Sequence, residues 1–155
     1  MKHRGDKPGF EVKGLVSKEW GELDAAPFLG PIEIWAKWTS EALVLDSSVI
    51  TTHIRKKRWI RKFSTDRDSP SEIELEDENP KNEGPLPILG CNVELTQITL
   101  VNGDIWWTFA FESFGALTTI AKDIRSVADL LASRHPPTIE DGLRLSYPGW
   151  LAEHA

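Results

Sequence analysis

The run His53-Ile54-Arg55-Lys56-Lys57-Arg58-Trp59-Ile60-Arg61-Lys62 holds six of the chain's 18 lysine and arginine residues. On an extended strand successive side chains point to opposite faces. His53, Arg55, Lys57, Trp59 and Arg61 then share one face, and Ile54, Lys56, Arg58, Ile60 and Lys62 share the other. Charge on both faces is costly to bury unless a counter-charge or an anion compensates it. Arginine offers bidentate hydrogen bonds and lysine a point charge, so several of them around one cleft suit a polyphosphate. The alternative is a solvated strand that meets water and the acidic stretch Glu72 to Asp77. Trp59 among the cations would also permit base stacking.

A second set of candidates is the strand-borne carboxylates Glu11, Glu33, Glu74, Glu94 and Glu112. Two or three converging acids can hold Mg2+, which in turn binds phosphate oxygens. No spacing among them requires convergence, and an exposed Glu is ordinary. The histidines, His3, His53, His135 and His154, are not spaced for a metal. Cys91 follows Gly90 with nothing beside it to activate a thiol, so it reads as a buried, idle side chain. There is no phosphate-binding glycine loop, no dinucleotide fingerprint and no serine elbow.

The totals bound what these residues can serve. A chain of 155 residues predicts one domain over 1–155 with a core large enough to need no staples. The net charge of −6 argues against a general nucleic-acid binder but leaves a local basic site open. A single cysteine excludes an internal disulfide and a multi-cysteine zinc site, which fits a cytoplasmic location. No run approaches a membrane span, and MKHRGDKPGF has no apolar stretch behind its charges as a signal peptide would.

The elements that must position the candidates follow from periodicity. Residues 1–9 are polar and read as a loose N-terminus. Phe10 to Val16 reads as a strand, and Ser17 as the cap of a short helix through Asp24 carrying Trp20 and Leu23. Ala25 to Pro31 reads as a loop. Ile32 to Trp38 alternates, with Glu33, Trp35 and Lys37 on one face. Thr39 to Leu45 is ambiguous between helical turn and strand. Val49 to Phe63 reads as one long strand, 64–71 as a turn, and Glu72 to Glu76 as an edge strand. Asp77 to Gly90, with its prolines and glycines, reads as a loop, so 64–90 is a partly flexible region. Ile120, Ile124, Val127, Ala128 and Leu131 make one helical stripe, capped at Thr118 or Thr119 and stopped by Pro136-Pro137. The tail at Tyr147 to Ala152 reads as a last short element. The class is α+β with an antiparallel sheet.

Asn102-Gly103 between two alternating strands, Asn92 to Val101 and Asp104 to Phe114, predicts a two-residue type I′ turn. Val101 then opposes Asp104, and Leu100, Ile98, Thr96 and Glu94 share a core face with Ile105, Trp107, Phe109 and Phe111. Thr99, Gln97, Leu95 and Val93 share the other face with Trp106, Thr108, Ala110 and Glu112. This register sends Glu94 and Glu112 to opposite faces and makes Glu112 the better site candidate. Both could face one interior only if a bulge interrupts the pairing.

The order of elements resembles the CYTH superfamily, the triphosphate tunnel metalloenzymes. Phe10-Glu11-Val12-Lys13 matches part of that family's opening Glu-x-Glu-x-Lys strand. Ile54 to Lys62 is similar to its basic middle strands. Val93-Glu94-Leu95, Phe111-Glu112, the helix at 119–133 and the Tyr147 segment follow its late order. Gly9 stands in place of the first Glu, and Ala110 in place of one late acid. The resemblance implies a sheet curling toward a barrel around a basic cleft. It implies phosphate binding by Lys13, Arg55, Lys57 and Arg58, and Mg2+ on Glu11, Glu94 and Glu112. The implied activity is binding, and Mg2+-dependent hydrolysis, of a triphosphate-bearing small molecule. The missing acids would remove metal ligands first. The competing reading is a non-catalytic domain whose Trp35, Trp59 and Trp106 faces take a small ligand or a second subunit, as in a homodimer.

Overall fold

The computed structural model describes residues 2–3, 10–42, 53–76, 79–80, 87–139 and 142–154. The strands are β1 (Lys2–His3), β2 (Phe10–Ser17), β3 (Glu22–Ala25), β4 (Phe28–Pro31), β5 (Ile34–Ser40), β6 (Arg55–Ser64), β7 (Ser71–Ile73), β8 (Leu75–Glu76), β9 (Asn79–Pro80), β10 (Gly90–Thr99) and β11 (Ile105–Phe114). The helices are α1 (Ile120–Ala132) and α2 (Tyr147–His154). One sheet has the order β11-β10-β6-β7 and a second the order β1-β2-β5, while β3-β4 and β8-β9 are two-stranded. The pairings among them are antiparallel. The class is therefore α+β, and among the described residues no sheet closes on itself. No helix among the described residues is long and apolar enough to cross a membrane.

The core lies where α1 meets the four-stranded sheet. Val127, Ala128 and Leu131 of α1 pack with Phe63, Cys91 and Val93 of the sheet and with Ala25 and Phe28 of the β3-β4 hairpin. These helix residues are the stripe expected from their spacing. Thr119 is the N-cap, but its hydroxyl donates to Ala116 O at 3.1 Å instead of capping the helix amides.

Several elements differ from expectation. The helix from Ser17 to Asp24 is not formed. β2 runs through Ser17, and Glu22–Ala25 is a strand with exposed Glu22 and Asp24 alternating with inward Leu23 and Ala25. That period of two, with Ala25 in the core, outweighs the capping signal of Ser17. The expected loop from Ala25 to Pro31 contains β4, which buries Phe28. Thr39 and Ser40 extend β5. The basic strand begins at Arg55, and the reading of Val49 to Thr52 lies outside the described residues, as do residues 4–9, 77–78 and 81–86 of the expected loops. Residues 79–80 within that loop are β9.

The hairpin between β10 and β11 forms, one residue out of the expected register. Leu95 opposes Phe109, Gln97 opposes Trp107 and Ile98 opposes Trp106. The loop has three residues, Val101 to Gly103. Gly103 N donates to Leu100 O, and Leu100 N donates to Asp104 O, both at 3.0 Å. Gly103 takes a positive φ of 91°, and Asn102 does not share it. Such a loop is a type I turn closed by a left-handed glycine. Asn102 supports it from the side: its Oδ1 accepts from Asp104 N at 3.0 Å, and its Nδ2 donates to Asp104 Oδ2 at 2.8 Å.

Because side chains alternate, a one-residue slip moves a whole strand's residues to the other face. The extra loop residue thus brings Glu94 and Glu112 to the same side of the sheet, along with Asn92, Thr96, Ile98, Trp106 and Thr108. The expected core face is corrected accordingly: Ile98 is fully buried while Trp107 is 54% exposed.

Candidate functional site

The register between β6 and β10 extends this face. Lys56 opposes Ile98, Arg58 opposes Thr96, Ile60 opposes Glu94 and Lys62 opposes Asn92. Lys56, Arg58 and Lys62 therefore stand beside Glu94 and Glu112. The β2-β5 pair faces them. In β2, Glu11, Lys13 and Leu15 share a side, and Lys13 lies directly opposite Lys37 of β5. Lys13 Nζ donates to Glu112 Oε1 across the gap at 3.5 Å. The result is a polar cleft between two sheets. One part of it, a concavity of about 420 Å³, is lined by Lys37, Lys62, Pro87, Asn92, Glu112, Ser113 and Phe114.

The electrostatics are those of a partly dried cleft. Arg58 Nη1 donates to Glu94 Oε1 at 3.5 Å, and the Glu94 side chain is only 18% exposed. Burial raises the Glu94 carboxyl above its ordinary value. Arg58 pulls it back, Glu112 raises it further, and Lys13 and Lys56 lower it. Glu112 thus acts on Glu94 through space. Glu11 is 5% exposed on the side of β2 that carries Lys13. The buried Asn92 Oδ1 has no hydrogen-bond partner among the described residues. An amide so placed can turn its NH2 toward an anion instead.

The aromatic end of the cleft is closed by α2. Trp150 is buried against Trp106, with ring centroids 5.5 Å apart, and stacks on Tyr147 and His154. Lys56 Nζ sits 3.1 Å above the centre of the Tyr147 ring, a cation–π contact that ties the basic strand to the tail. Burial pushes the Tyr147 hydroxyl up to about 12. His154 is accounted for by this packing, with Nδ1 3.0 Å from Trp150 O.

Of the expected phosphate-binding residues, Lys13 and Arg58 face the cleft. Arg55 and Lys57 do not: they oppose Thr99 and Gln97 on the other side of β6, the side that carries Phe63. Strand alternation forbids Arg55, Lys57 and Arg58 of β6 from sharing one cleft. Lys56 and Lys62 stand there instead. Their parity with Arg58 was the signal that pointed to them. Lys37 carries no such signal, because nothing local sets its pairing with Lys13. Of the expected metal ligands, Glu94 and Glu112 share the cleft, but no group of three or more His, Cys, Asp or Glu able to hold a metal forms among the described residues. The described residues thus offer a cation two carboxylates on one face, each already in an ion pair.

Other candidates are placed elsewhere. Glu33 accepts from Trp35 Nε1 at 2.8 Å, and Glu74 is exposed. The Cys91 thiol is fully buried, and desolvation pushes it up to about 12, which suits an inert side chain. Arg61 reaches the acidic stretch, donating to both oxygens of Glu72 at 2.7 and 2.6 Å. No protein-family model matches this chain, and no curated protein or solved structure matches it either.

Proposed function

We propose that this chain binds a polyphosphate-type anion, a triphosphate-bearing small molecule, in the cleft between the two sheets. The observation that carries this reading is the direct pairing of Lys13 with Lys37 opposite Lys62 and Glu112. Like charges directly opposite on a sheet face destabilise it. Glu112 offsets part of that cost through its ion pair with Lys13, and an incoming anion offsets the rest. Lys56 and Arg58 extend the positive row along β6. A curling of the two sheets toward a barrel would enclose the same faces. In this reading Glu94 and Glu112 would hold Mg2+, which would supply neutralisation of the charge on a bound phosphate.

A ligand that binds only the folded state raises its apparent stability, by about 2.7 kcal/mol at one hundred times Kd. Inorganic triphosphate with Mg2+ is expected to raise the melting temperature of the native chain, and Arg58→Ala and Lys37→Ala to abolish that rise. An unchanged melting temperature at millimolar triphosphate would sink the anion site. Phosphate release assayed over a panel of triphosphates and divalent metals separates hydrolysis from binding alone. Binding alone is favoured by the ion pairs that already engage both carboxylates.

A further inference from the structure

The face of the four-stranded sheet that packs against α1 runs on beyond the helix and carries a second arrangement there. Across β6, β10 and β11 the pairing aligns Trp59, Leu95 and Phe109 in one row. Lys57, Gln97 and Trp107 form the next, and Arg55, Thr99 and Ile105 the third. Trp59, Leu95, Trp107, Phe109 and Ile105 are all exposed. Trp59 and Trp107 stack diagonally, with centroids 5.7 Å apart and planes at 21°. Lys57 Nζ lies 5.0 Å from the centre of the Trp59 ring. None of these nine side chains is acidic, although the chain as a whole carries a charge of −6. Glu72 of β7, which opposes Phe63 on this side of the sheet, is taken up by Arg61 and, at 3.6 Å, by Arg134.

We infer that this face is a platform for single-stranded nucleic acid. The exposed Trp59 and Trp107 rings offer faces on which unpaired bases stack whatever their sequence, while Phe109 already stacks on Phe28 at 5.2 Å. Arg55 and Lys57 stand at the same edge to meet phosphates, and the Gln97 amide lies between them and Trp107 for a base edge. A duplex keeps its base faces covered and gains only the charge contacts. A second copy of the chain is the poorer occupant, because an isologous contact sets a patch against itself and would oppose Arg55 and Lys57 to their own counterparts. The inference is independent of the cleft, which lies on the other face of the same strands.

The test is fluorescence anisotropy of labelled oligouridylate and oligothymidylate of about ten nucleotides with the full chain, a length within the usual site size of such surfaces. Saturable binding that weakens as salt rises is expected. Trp107→Ala should weaken it about 5- to 150-fold, the usual worth of one stacked base. Lys57→Glu, which removes no packed ring, should weaken it as well. Circular dichroism of both variants should match the native chain, since both side chains are exposed. The inference is overturned if the native chain fails to bind at low salt, or if both variants bind like it. Equal affinity for a duplex of the same length also overturns it. So does loss of oligonucleotide binding with Arg58→Ala but not Trp107→Ala, which would place the strand in the cleft. Self-association abolished by Trp107→Ala, without oligonucleotide binding, would assign the face to a second copy. Triphosphate binding measured on Trp107→Ala and Lys57→Glu keeps failure of this inference distinct from failure of the cleft reading.

Discussion

Glu94 shows how a single side chain reports on the cleft. Its carboxyl holds a proton more tightly in the folded chain than in the unfolded one, chiefly because it is buried. The folded state therefore binds more protons across the window from the ordinary carboxylate value up to the raised one, so stability falls as pH rises through it. Below that window the penalty is absent. Glu94→Gln removes the titration while keeping the shape. The stability of the variant relative to the native chain is expected to improve as pH rises through the window, read from urea midpoints at successive pH values. A pH-independent difference would show that Glu94 is not held in a dry cleft. Glu72 behaves oppositely: hydrogen bonds from Arg61 lower its carboxyl. Its contribution is present above the ordinary value and lost as pH falls through the lowered one. At 36% exposure its pair with Arg61 is worth on the order of 1 kcal/mol or less.

At the scale of elements, the three-residue loop decides which faces meet. Asn102-Gly103 was legible as a turn, since both residues favour it. Its length was not, because a two-residue type I′ turn and a three-residue type I turn with a left-handed glycine accept the same dipeptide. The two differ at Asn102, which needs a positive φ only in the first. Asn102→Ala should therefore cost only its hydrogen bonds to Asp104, about 1 kcal/mol or less. Gly103→Ala should cost about 1–3 kcal/mol, because φ is 91° there although no atom lies within 4 Å of the added methyl. Chemical denaturation of the two variants checks both. A larger loss from Asn102→Ala than from Gly103→Ala would restore the two-residue turn, and with it the separation of Glu94 from Glu112.

Across the whole molecule, the cleft depends on parts far apart in sequence. β2 and β5 supply Lys13 and Lys37, β6 supplies Lys56, Arg58 and Lys62, and the tail closes one end through Trp150. Trp150→Ala is expected to cost about 3–5 kcal/mol, as deletion of a buried Trp usually does. It should also release Lys56 from the Tyr147 ring. Thermal unfolding gives the loss, and the chemical shift of the Lys56 side chain gives the release. A loss within about 0.5 kcal/mol, typical of surface positions, would mean that α2 does not seal the cleft.

The sequence by itself determined the elements whose signals are local. Alternation marked β5, residue type marked β2 and β6, the Asn102-Gly103 turn marked the two long hairpin strands, the apolar stripe marked α1, and Pro136-Pro137 marked its end. Parity along β6 already separated Lys56, Arg58 and Lys62 from Arg55 and Lys57, since a strand has only two faces. Only the tertiary structure decided which of those faces meets β2 and β5, because strand pairing over long separations rests on contacts no local pattern records. It also decided that Glu22–Ala25 is a strand, where a place for Ala25 and Phe28 in the core outweighs the helix signal of Ser17. Most of all it decided the register at Asn102-Gly103. One residue in that loop sets whether Glu94 and Glu112 look into the same cleft.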